Sequence, residues 1–77
     1  MIADVIGHLV SGIVEHPEDV HVEEKTLRRG LVYRVHVNPD DLGKVIGRNG
    51  RTATAIRTVV NALARDTRID FVDVDRR

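Results

Sequence analysis

The 77 residues suffice for one small domain and leave no room for a second. Hydrophobic residues make up 42% of the chain, which favours a packed fold over disorder, and the lack of cysteine excludes disulfides and thiolate metal sites as reinforcement of a small core. The net charge is zero, yet residues 1–24 carry six acids and no Lys or Arg, while residues 25–57 carry eight basic residues against only Asp40 and Asp41. Clustered cations, more than the total, set the field that an anionic chain feels within a Debye length of about 8–10 Å.

In chain order, Ile2, Val5, Ile6, Leu9, Val10, Ile13 and Val14 repeat at helical spacing, with Asp4, His8, Ser11 and Glu15 on the other face. This predicts a first helix ending near His16, because Pro17 disfavours helical geometry in the residue before it. Val20 to about Leu27 reads as a strand, and Arg28-Arg29-Gly30 as a turn with Gly30 free to take positive φ. In the next strand, Leu31 to Val37, inward Leu31, Tyr33, Val35 and Val37 alternate with Val32, Arg34 and His36. The two strands should pair as an antiparallel hairpin.

Asn38-Pro39-Asp40-Asp41 is a helix start: Asn38 caps, Pro39 suits the first turn, and the acids complement the positive helix end. Gly47 and Gly50 interrupt that helix, and another runs from about Arg51 to Arg65 with Ile56, Val59, Val60 and Leu63 on one face. A last strand covers Ile69 to Val74, its inward pair being either Ile69/Phe71 or Val72/Val74. The order α-β-β-α-α-β predicts an α+β fold, with one three-stranded mixed sheet covered by helices on one face.

The segment Leu42 to Arg51 carries the functional signal. Two glycines three apart between helices let an anionic backbone approach main-chain N–H groups, and the next helix presents its positive end there. Lys44, Arg48, Arg51 and Arg57 surround the loop, with no acid from residue 42 to 65. Val45-Ile46-Gly47-Arg48-Asn49-Gly50 resembles the V-I-G-x-x-G signature of KH domains, a loop that clamps about four nucleotides. The element order resembles the type II, prokaryotic topology. Nearly the whole chain, including His16-Pro17-Glu18-Asp19 and Asp40 to Lys44, is similar to the small stand-alone bacterial KH proteins of the KhpA (YlqC) type.

The resemblance implies a non-enzymatic, single-stranded RNA-binding domain spanning 1–77, an RNA chaperone or post-transcriptional regulator acting in RNA fate, cell division or envelope synthesis. It implies that Gly47 and Gly50 shape the loop and that Arg48 and Asn49 face phosphates, with Lys44 and Arg51 adding charge. Val45, Ile46 and Ile56 would line an apolar groove for bases, with Val37 as its far wall. Implied partners are RNA, a second copy of the chain, or a larger Jag-type (KhpB) KH protein.

Other readings are weaker. The glycines fit neither G-x-G-x-x-G nor GxxxxGK[ST]. His8, His16, His21 and His36 lack a helical metal-pair spacing, and Asp66, Asp70, Asp73 and Asp75 lack that of a calcium loop. With Ser11 the only serine and no cysteine, no catalytic set assembles, so no cofactor or metal is expected. Tyr33 and Phe71, the only aromatics, are remote from the loop in sequence, which argues against stacking platforms. Without an apolar run of about 18 residues, or a basic segment after Met1, a cytoplasmic protein without membrane contact is expected. The rival reading is a protein-interaction or dimerisation module with a vestigial groove, motivated by Val32 and Phe71 or Val72 as apolar positions outside the core.

Overall fold

The computed structural model describes residues 1–75; Arg76 and Arg77, the end of the expected domain, lie outside the described residues. Helix α1 (Ile2–Ser11) is followed by strands β1 (His21–Leu27) and β2 (Gly30–Val37), helices α2 (Pro39–Ile46) and α3 (Arg51–Leu63), and strand β3 (Thr67–Asp73). The sheet order is β1-β2-β3, with β1 antiparallel and β3 parallel to β2. A parallel neighbour requires a crossover, and the α2–α3 pair supplies it. This is the expected α-β-β-α-α-β, α+β arrangement.

Apolar residues from one face of each element meet in the core: Ile6 and Val10 of α1, Tyr33, Val35 and Val37 of β2, Val45 of α2, Ile56 and Val60 of α3, and Ile69 of β3. Burial, together with the Glu24 carboxylate hydrogen-bonded to it, raises the pKa of the Tyr33 phenol above 10.0. The undecided phase of β3 resolves to Ile69 and Phe71, in register with inward Tyr33 and Val35, so Val72 joins His36 on the opposite face. Val32 also lies on that face, but flanked in register by Lys25 and Arg68 it is only 9% exposed.

Two helices depart from expectation. Helix α1 ends at Ser11 rather than near His16. In a longer helix the Glu15 and His16 amides would donate to carbonyls four residues back; instead they donate to Asp41 Oδ1 and Oδ2 at 3.1 and 2.9 Å. A carboxylate 26 positions away in sequence therefore diverts the chain, which enters a short 3-10 turn at Pro17–Asp19. Helix α3 ends at Leu63, and its inward face is Ala53, Ile56 and Val60 rather than the wider set expected. Val59 and Leu63 are 47% and 60% exposed. Val59 borders a surface hollow of about 440 Å³ whose lining includes Leu9, Gly12, Ile13 and Ala55.

Candidate nucleic-acid interface

The loop between α2 and α3 is shaped by three successive backbone choices. Helix α2 begins as expected, the Asn38 side chain accepting from Asp40 N at 2.8 Å. It ends because Gly47 adopts φ 76°, ψ 172°, a region open essentially to glycine. A Cβ there would strike the Thr52 side chain and come within 2.9 Å of Thr52 N, so glycine is required for space as well as for conformation. Asn49 then takes left-handed φ 55°, ψ 27°, which asparagine tolerates better than most residues. Gly50 follows at φ 72°, ψ 16°, with nothing within 4 Å of a would-be Cβ.

Gly47 N donates to Gly43 O at 2.8 Å, and Gly50 N to Gly47 O at 3.1 Å. The two amides between them, of Arg48 and Asn49, have no hydrogen-bond partner among the described residues. Both residues are exposed. Among the described residues no side chain caps the start of α3, and the Arg51 amide donates to Arg48 O. Among the described residues Arg48, Arg51 and Arg57 also have no ion-pair partner, so Arg48 and Arg51, within or next to the loop in sequence, carry uncompensated charge.

Lys44 differs from the sequence expectation. Its Nζ lies 2.7 Å from Glu15 Oε1, an acid that sequence distance had hidden. Both groups are well exposed, so the pair contributes at most about 1 kcal/mol, but it partly offsets the field Lys44 offers to an outside anion.

The apolar groove also needs correction. Val37 and Val45 are 0% exposed and Ile56 is 5% exposed, so these three support the wall from inside the core rather than line it. Of the four groove positions only Ile46, 39% exposed, presents surface. β2 is the central strand, so Val37 is screened; the open edge beside the helices belongs to β3.

On that edge the structure places two residues the sequence did not bring together. Arg57 Nε and Nη2 donate to Ile69 O at 3.2 and 3.1 Å, and the guanidinium carbon lies 5.5 Å from the centroid of the Phe71 ring. From sequence Arg57 counts among the cations around the loop, and Phe71 as remote from it; a parallel β3 beside α3 unites them. No periodicity signal could have found this pair, because it depends on which strand is the edge.

Glu15, His16 and Asp41 bring potential ligand atoms within 4.8 Å of one another. Asp41, however, is 1% exposed with each oxygen accepting a backbone N–H, and Glu15 is paired to Lys44, so the cluster is a structural clasp. Among the described residues no helix is long and apolar enough to cross a membrane.

Comparison with known proteins places this geometry. Residues 3–75 match the family model described as "KhpA/KhpB, KH domain". The chain is 60% identical over 76 residues to "RNA-binding protein KhpA" of Streptomyces coelicolor, covering 97% of this chain and 96% of the relative. It is 56% identical over 77 residues to the protein of that name from Mycobacterium tuberculosis, covering 99% and 96%. It is 44% identical over 73 residues to that from Halalkalibacterium halodurans, covering 90% and 96%. All three relatives are named as RNA-binding proteins. No solved structure matches the chain. A family match over residues 3–75, on a chain with this element order and glycine loop, makes the chain a member of the KhpA/KhpB KH-domain family.

Proposed function

We propose that the chain acts as one KH domain that binds single-stranded RNA at the Gly47-Arg48-Asn49-Gly50 loop. The observation that carries this is the pair of donor amides at Arg48 and Asn49, unused among the described residues and next in sequence to Arg51, which has no ion-pair partner among them. A phosphate there accepts from the two amides, as anions do at helix N-termini and backbone nests. Arg48, Arg51 and Arg57 supply the longer-range attraction. Ile46 and the half-buried Phe71 offer apolar surface to bases. Relatives named RNA-binding proteins support the same reading. Recognition is sequence-tolerant at the phosphates, which suits an RNA chaperone or post-transcriptional regulator working in the cytoplasm.

The test is the double change Arg48→Asp plus Asn49→Asp, made on an exposed loop that should stay folded. RNA crosslinking should be lost, with the circular dichroism spectrum unchanged. Retained crosslinking would refute the loop as the site. The affinity of the unaltered protein should also fall steeply with salt, since phosphate neutralisation releases counterions.

A second reading has its own observation. Ile13, Val59 and Leu63 are exposed apolar residues on the α1–α3 side, away from the core. This surface suits a second copy of the chain or a larger Jag-type (KhpB) KH protein. A paired domain would raise RNA affinity by doubling the contacts of one short groove. Val59→Asp should abolish self-association in sedimentation experiments and leave single-site RNA binding in place.

A further inference from the structure

An edge strand exposes backbone acceptors and donors that a neighbouring chain can read. β3 is such a strand, pairing among the described residues with β2 alone. Its residues alternate between the β2 side and the open edge, so the Ile69 carbonyl marks one of the open-edge positions. That carbonyl is taken: Arg57 Nε and Nη2 both donate to it, at 3.2 and 3.1 Å. A base arriving here therefore meets a guanidinium rather than a carbonyl.

The substitution inverts the chemistry of the position. A bare carbonyl is an acceptor and suits a base amino group. A guanidinium carries five N–H donors and no acceptor. Two of Arg57's donors, on Nε and Nη2, converge on Ile69 O, and the end-on pair of this exposed side chain, one N–H each on Nη1 and Nη2, has no partner among the described residues. The Phe71 ring lies 5.5 Å from the guanidinium carbon, within cation–π range, and adds to the two hydrogen bonds that anchor the side chain. No acid pairs with Arg57 among the described residues, so none of them competes for the remaining donors.

We infer that Arg57 is a specificity-determining residue of the RNA site, selecting bases that present two adjacent acceptors. Guanine does so with O6 and N7, and cytosine with O2 and N3. Adenine and uracil offer no such pair, since each of their ring acceptors adjoins a donor or stands apart. The inference rests on the proposed RNA-binding reading. It deepens that reading by giving a loop that grips phosphates without regard to sequence a neighbour that reads base edges.

The experiment measures affinities of the full chain for four single-stranded RNA octamers, oligo-U with the central two positions set to G, C, A or U. The G and C octamers should bind about tenfold more tightly than the A and U octamers, in line with the discrimination of a bidentate pair. Arg57→Lys keeps the charge but loses the fork, and should bring the four affinities together at the level of the A and U octamers. Arg48→Asp plus Asn49→Asp should weaken all four by a similar factor. A purely structural role for Arg57, guarding the β3 edge, would change thermal stability and leave the ranking of the octamers as it was. Binding with no G/C preference, or a preference that survives Arg57→Lys, overturns the inference and spares the RNA-binding reading. Failure of all four octamers to bind overturns both.

Discussion

The two ends of α2 use the same chemistry for opposite purposes. Near its start, the buried Asp41 carboxylate accepts two consecutive backbone amides, of Glu15 and His16. Beyond its end, two consecutive amides, of Arg48 and Asn49, have no acceptor among the described residues. One pair of donors meets an internal anion and ties the segment after α1 to α2; the other is the pair that the proposed function assigns to an external anion. The contrast teaches that satisfied amides build the scaffold, whereas the unsatisfied pair, exposed and held by glycine geometry, is what the proposed RNA site uses.

Breaking each end should give different phenotypes. Asp41→Ala leaves two part-buried N–H groups without an acceptor and should destabilise the domain most, by about 2–4 kcal/mol. Urea denaturation will measure it, and molecules that remain folded should keep their RNA affinity. Gly47→Ala should cost about 2–3 kcal/mol through a disfavoured backbone and the collision with Thr52, displacing the start of α3. RNA binding should be lost with it, and amide NMR shifts confined to the loop and the first turn of α3 will distinguish this from global unfolding.

Smaller changes sharpen the comparison. Gly50→Ala should cost only about 1 kcal/mol, since the left-handed φ is disfavoured but the space is open. Gly50→Asn should recover part of that loss in thermal denaturation. Arg48→Ala should leave stability within about 0.5 kcal/mol, while the slope of log affinity against log salt should fall by about 0.7, as for one phosphate contact. The least change is expected for Lys44→Ala: under about 0.5 kcal/mol in stability, as for a surface ion pair, and a smaller loss of RNA affinity than Arg48→Ala because Glu15 already offsets its charge.

Much of this was legible in the chain. The glycine pair, the Asn38-Pro39 helix start and the alternation in β2 are local signals, and each element they predict is present. Legibility failed where a distant residue intervened. The end of α1 could not be read because Asp41 seemed only a first-turn acid, and Lys44 looked free because Glu15 lies 29 positions earlier in sequence. The groove wall was misassigned for a related reason. Val37, Val45 and Ile56 are apolar and near the loop, but hydrophobicity cannot tell a buried support from an exposed lining.

The sequence by itself determined the order of elements and the loop, because periodicity, capping and the conformational freedom of glycine act over a few residues. Only the tertiary structure decided which strand is the edge, which cations remain unpaired and which apolar residues reach the surface. Those properties depend on what lies across space, and a parallel strand reached through two helices brings together residues that no local pattern connects.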